Sequence, residues 1–314
     1  MLAAADVLFD PAAAYPQVGE LRATLARRDW AATRSVIESA PADARCLLVR
    51  EGSDLPGLED LLLRVLADDP DDALAAALLG THLIEVGWRI RTRARARHVS
   101  REQFVAFRAW LTRAEHVLLE ATARHPEEPA VWVARITSSR GLELGPAEGR
   151  RRYDRLRASD PHNYLGQSQF LQLMCPKWAG TWEKLHAWAR EEMLASPPGS
   201  LAGALVAEAH LEHSIDMAYV QRQAYFGPAR DELHYAAHHS IWNPDFRRPA
   251  GWVHAASAFA MAFSQAGDEQ AAARTFSLLG SLASVRPWEY LGADVAAVVR
   301  DRRRRAHAAA GGPR

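Results

Sequence analysis

Residues 114–188 read AEHVLLEATARHPEEPAVWVARITSSRGLELGPAEGRRRYDRLRASDPHNYLGQSQFLQLMCPKWAGTWEKLHAW. Prolines punctuate the stretch at Pro126 and Pro161, and a third, Pro197, follows just beyond; the gaps are 35 and 36 residues. Between them apolar residues recur every three or four positions, the period of one helix face. Gly and Pro fall between such segments rather than inside them, where helix boundaries require them. A helix, a tight turn and a second helix closed by a proline-bearing turn take up about this length of chain.

The tetratricopeptide repeat has this build, with a period of about 34 residues, and it can be tested position by position. After its closing proline such a repeat places a large residue, a leucine, a small residue and another large one. After Pro70 the corresponding positions hold Ala76, Leu79, Gly80 and Leu83, three of which fit, Ala76 being small where a large residue belongs. The small residue is the demanding one, because the two helices of the hairpin cross there. The second helix carries small, large and small residues before its proline, here Ala114, Leu118 and Ala121 before Pro126, while Trp132 takes the large position after it. A late copy runs through Ala260 and Phe263, turns at Gly267-Asp268, and packs back with Ala272 and Phe276. The expected fold is therefore all-α, a tetratricopeptide-like α/α superhelix of antiparallel helix hairpins.

Composition bounds the rest. The chain has 314 residues, 48% of them hydrophobic, enough for a sizeable core. Lys+Arg and Asp+Glu both number 38, so no global basic field exists to recruit nucleic acid, which is disfavoured as a partner. The two cysteines, Cys46 and Cys175, are far apart and form no Cys-x-x-Cys pair, which suits a reducing cytoplasm. No apolar run is long enough to span a membrane, and the N-terminus lacks the basic region of a signal peptide. No nucleophile elbow, phosphate-cradling glycine loop or dinucleotide fingerprint occurs, so no catalytic residue and no cofactor is expected.

The expected organisation is an N-terminal helical cap over 1–69, repeats over 70–198, further helical repeats over 199–302 and a flexible basic tail over 303–314. Within the repeats an Arg-rich insert, 89–100, lengthens one unit. Ser100 and Gln103 form a capping box that opens a helix over 101–124. Asp160-Pro161 is expected to open a helix over 161–174, Pro228 one over 228–241, and Pro287 one over 287–300.

The segment Pro176, Trp178, Ala179, Gly180, Thr181, Trp182, Glu183 resembles a bacterial tetratricopeptide-like family of unknown function. That family carries a Pro-x-Trp-Gly-Gly-Ser-like turn followed by a Trp-Glu helix. The resemblance covers roughly 70–195. It implies an α/α superhelix and supplies no activity. Ala179 stands where the family pattern has glycine.

Three groups of residues are candidates for function. The aromatics of the 178–252 region suit a groove for a protein or peptide segment, with Lys177, Trp178, Trp182, Gln221, Arg222 and Tyr225 as its contacts. The alternative for these residues is core packing between helices. The alternating arginines Arg89, Arg91, Arg93 and Arg95 suit a local anion site, since guanidinium forks match phosphate. Alternation scatters them around a helix, however, and a solvated helix end balanced by nearby acids is the competing reading. His234 and His238 are four apart on one helix face; with Asp231 and His210 they could imitate a helical-bundle metal site, as part of a helical enzyme or small-ligand-binding protein. Histidines packing in helix seams are the alternative there. The expected function is a non-enzymatic scaffold or adaptor.

Overall fold

The structure, a computed structural model, describes residues 7–92, 96–215 and 217–311, with the side chains of Tyr219 and Gln223 left aside. Sixteen α-helices run along the described residues: α1 Pro16–Ala26, α2 Trp30–Ser39, α3 Ala42–Ser53, α4 Glu59–Asp68, α5 Ala73–Arg91, α6 Arg101–Arg124, α7 Pro129–Gly141, α8 Pro146–Ser159, α9 Tyr164–Met174, α10 Trp182–Ala195, α11 Gly203–Ser214, α12 Tyr219–His239, α13 Trp252–Gln265, α14 Glu269–Leu279, α15 Val285–Trp288 and α16 Val295–Gly311. The fold is all-α. The one β interaction among these residues is an isolated parallel bridge between Leu8 and Leu282.

The chain divides into two compact units, Tyr15–Leu173 with Lys177–Ala179, and Met1–Ala14 with Met174–Pro176 and Gly180–Arg314. The division falls near 173–180, whereas the sequence reading sets boundaries at 69 and 198. In the first unit α3 packs against α1, α2, α5 and α7, so the helices before residue 69 share a core with those that follow.

In the first unit the odd-numbered helices pack in succession, α1 on α3, α3 on α5, α5 on α7. Each even-numbered helix lies against a neighbour in sequence: α2 on α1 and α3, α4 on α5, α6 on α5 and α7, α8 on α7. Gly80 of α5 faces Leu118 of α6 so closely that a Cβ would stand 2.4 Å from Leu118 Cδ2. α5 has the length and apolar composition of a membrane span, but Leu74–Gly80, His82–Ile84 and Gly87 are buried among its neighbours. Packing on several sides accounts for its apolar character.

The second unit continues in the same manner. α11 packs against α10, α12 and α13, α13 against α14 and α15, and α16 against α14 and α15. The α13–α14 hairpin turns at Gly267, φ +67°, where a residue without Cβ is at ease, and Asp268 caps α14 by accepting the Ala271 N–H at 3.1 Å.

Local chemistry decides where the expected boundaries hold. The Ser100–Gln103 capping box forms in both directions and opens α6 at Arg101. Asp160 instead closes α8, and the next helix begins at Tyr164 because Asn163 supplies the cap, its Oδ1 accepting the Gly166 N–H at 2.8 Å. α12 starts at Tyr219, nine residues before Pro228, which lies inside it. The tail expected to be flexible is helical to Gly311: Val299 and Ala306 are buried, and the Arg303 guanidinium covers Phe276 at 5.6 Å. The Arg-rich insert is in part regular, since Arg89–Arg91 extend α5 and Ala96–His98 form a 3₁₀ turn.

Candidate functional site: a histidine–tyrosine cluster

Three helices of the second unit bring polar side chains onto one point. α10 is opened by Thr181, whose hydroxyl accepts the Lys184 N–H at 3.3 Å. Trp182, His186 and Arg190 then follow at intervals of four, one stripe along its face. α11 lies between α10, α12 and α13, so nearly all of it is buried and its polar residues must find partners inside. It contributes His210 and His213. α12 contributes Tyr225 and, two turns on, Glu232.

Glu232 accepts hydrogen bonds from His210 Nε2 at 2.9 Å and from Arg190 Nη2 at 3.1 Å. With its Nε2–H given to the carboxylate, His210 presents Nδ1 as acceptor, and the network assigns the Tyr225 hydroxyl as its donor at 2.7 Å. The same phenol oxygen is 3.1 Å from His213 Nδ1 and 3.3 Å from His186 Nε2, and those two nitrogens are 3.0 Å apart. Trp182 stacks on the His213 ring, centroids 4.4 Å apart.

The environment sets the charges. Burial, and after it the electrostatic influence of His210, His213 and Arg190, pushes the His186 imidazole down to about 4. His213 is lowered too, by burial and then by His210. Burial and the Glu232 charge raise the Tyr225 phenol, so it keeps its proton. For Glu232, burial works upward, but the hydrogen bonds from His210 and Arg190 prevail and hold it at about 2. The cluster is thus a fixed carboxylate, an imidazole, a protonated phenol and two imidazoles of lowered basicity in sequence.

Of the residues proposed for a peptide groove, two enter this cluster, Trp182 and Tyr225. Gln221 caps α12 by accepting the Ala218 N–H at 3.2 Å. Arg222 closes the preceding loop by donating to the carbonyls of Ile215 at 3.4 Å and Met217 at 3.1 Å. Lys177 is exposed, and Trp178 meets Trp88 edge-on in the first unit, centroids 6.2 Å apart. Among the arginines, Arg89 pairs with Asp54 at 2.9 Å and Arg91 covers Trp88 at 5.6 Å, so these two are not gathered on one anion site. Arg93 and Arg95 lie outside the described residues.

The four side chains proposed as metal ligands are not brought together. His210 turns to Glu232 and Tyr225; His234 is held by Asp268 at 2.8 Å. His238 is exposed and packs edge-on against Trp242, centroids 5.3 Å apart, and Asp231 is exposed. Their helical spacing is as expected, but Trp242 and Asp268 take up the face. Among the described residues no group of three or more His, Cys, Asp and Glu side chains is arranged to hold a metal ion. Sequence reasoning passed over His186, Arg190 and Glu232. The signal was present as periodicity, four residues apart along α10 and seven apart from Tyr225 to Glu232, once the three helices are taken together.

Both cysteines are buried. Burial pushes the Cys46 thiol up to about 12, leaving it inert as a nucleophile. No family model matches the chain, and neither a curated protein nor a solved structure shows detectable similarity to it.

Proposed function

We propose that the chain is a helical-repeat scaffold of the tetratricopeptide-like kind that holds a segment of another protein. The observation that supports this most is the packing order of the first unit: successive odd-numbered helices form one layer, and Gly80 and Leu118 meet at the crossing that the repeat register demands. Such layering leaves a long open face, which repeat proteins use for extended partners. Between α4, α5 and α6 lies a depression of about 220 Å³, with Leu63, Leu66, Val117 and Ala121 on its apolar floor and Glu120 and Arg124 at its rim. Leu63 is 46% exposed, a large apolar side chain left to solvent at the place a partner residue would cover. A partner helix or strand carrying an apolar anchor flanked by charges of both signs fits that surface.

Site-directed photo-crosslinking tests the reading. A photoreactive residue at position 63 should give a discrete cross-linked protein, and Val117→Glu should abolish it. A probe at Val285, exposed in the second unit, should give none of that product. Equal products from positions 63 and 285, or none from 63, would remove the scaffold reading. A second reading, a ligand-handling role for the second unit, is favoured by one observation, the convergence of three imidazoles on Tyr225.

A further inference from the structure

The contacts around Tyr225 have the dimensions of a coordination shell. His186 Nε2, His213 Nδ1 and Tyr225 Oη form a triangle with sides of 3.0, 3.1 and 3.3 Å. Ligand atoms about 2.0–2.1 Å from a tetrahedral zinc ion stand about 3.3–3.4 Å from one another. Closing the triangle on an ion therefore takes movements of a few tenths of an ångström. The third corner is a phenol, so the arrangement lies outside any set built from His, Cys, Asp and Glu alone.

We propose that His186, His213 and Tyr225 bind one divalent transition-metal ion, zinc or copper(II), with His210 and Glu232 as the outer pair that takes up the phenol proton. The site differs from the set expected from sequence, of which only His210 takes part, and then without touching the metal.

The proton balance is closed by residues on the page. In the metal-free protein the phenol donates to His210 Nδ1 at 2.7 Å. As the ion arrives, the Tyr225 O–H bond breaks, oxygen keeps the electron pair and binds the metal, and the proton moves to His210 Nδ1. The new imidazolium rests on Glu232, which accepts from His210 Nε2 at 2.9 Å. A carboxylate behind a histidine is a recurrent second layer of metal sites, and here the histidine stands between carboxylate and ligand. Between His186 and His213 the ion takes the place of the proton in their 3.0 Å contact, which moves to the other nitrogen of the ring that carried it, so both imidazoles stay neutral.

Two imidazoles and a phenolate are borderline donors that favour zinc and copper over magnesium or calcium. His186, His213 and Tyr225 are each only part-buried, which leaves a further position for water or a ligand. A loaded site would tie α10, α11 and α12 together.

The test uses the tag-free full chain, stripped with a chelator and exchanged into clean buffer. Titration with Zn²⁺ alone and with Cu²⁺ alone should show one ion per chain, with a dissociation constant of about 10 μM or lower. Binding at neutral pH should release little or no proton to the buffer, because His210 retains the phenol proton, and Cu²⁺ should give a phenolate-to-metal charge-transfer band. His186→Gln and His213→Gln should each weaken binding about tenfold or more. Tyr225→Phe should remove the charge-transfer band, whereas His234→Ala, in the Asp268 pair, should change neither. Wild-type binding weaker than about 100 μM overturns the proposal, without recourse to any variant. So does binding that survives both histidine substitutions in folded protein, or a charge-transfer band that survives Tyr225→Phe.

Discussion

A Cβ on Gly80 of α5 would stand 2.4 Å from Cδ2 and 2.5 Å from Cγ of Leu118 on α6. Leu118 is fully buried, so its side chain has no open space to retreat into. Gly80→Ala gains about 1 kcal/mol in helix propensity but forces a packed leucine to move, at a cost of about 1–3 kcal/mol. The expected outcome is a loss of about 1 kcal/mol or more in urea unfolding. Gly80→Ala combined with Leu118→Ala should lose less than the sum of the two single changes, because the methyl then occupies vacated volume. Strict additivity would mean that the helices do not cross there.

Ala179, in the turn before α10, has φ +73°. An L-residue in that region costs roughly 1–2 kcal/mol, while glycine in its place adds back about 0.5–1 kcal/mol of unfolded-chain entropy. Ala179→Gly should therefore stabilise the chain by a few tenths to about 1 kcal/mol. Thermal or urea unfolding reads it directly. A destabilised variant would show that the alanine methyl makes a contact outweighing the strain.

How much of this was legible in the sequence depends on which interactions decide each element. The helix over 101–124 was legible to the residue because Ser100 and Gln103 carry its cap locally. The start of α9 was not, because Asp160 and Asn163 are both good caps, and tertiary packing of Tyr164 and Gly166 selects the second. α12 was taken to start at Pro228, since proline opens helices more often than it sits inside them; there its ring points to the exposed side. The late helix was expected to fray because its arginines look like a solvated tail, yet Arg303 finds Phe276 across a helix seam. In the cluster, Tyr225 and His210 were singled out on different grounds and assigned to different sites. His186 stood alone on α10, and its role is visible only when three helices are packed.

Glu115 is the hub of a buried ion network in the first unit. Arg152 embraces its carboxylate with both Nη atoms, at 2.6 and 2.9 Å, and Arg135 approaches at 3.5 Å. Both arginines are almost fully buried. Glu115→Gln removes the charge beside Arg135 and one of the two that compensate Arg152, the other being Glu148 at 2.7 Å, and should destabilise the unit by about 3 kcal/mol. Glu38→Gln, at the exposed pair with Arg34, should cost at most about 0.5 kcal/mol. Comparable losses from the two changes in urea unfolding would show that the Glu115 network is solvated.

The same cluster that is proposed to hold a metal predicts how stability depends on pH when no metal is present. In the folded chain the His186 imidazole titrates at about 4, against 6.5 as an ordinary histidine. Between those values the unfolded chain binds the proton more readily, so acid favours unfolding. The contribution is complete above about 6.5 and is lost as the pH falls toward 4. His213 shifts in the same direction and adds to the effect. Glu232, held at about 2 against 4.5, loses its contribution only in stronger acid and leaves this window untouched. The rings are partly solvated, so screening limits the loss between pH 7 and pH 5 to about 1–2 kcal/mol. Urea midpoints measured at both pH values with chelator present should differ by that amount, and the difference should shrink in His186→Gln, whose side chain does not titrate. An undiminished difference in that variant would place the responsible proton on a group other than His186.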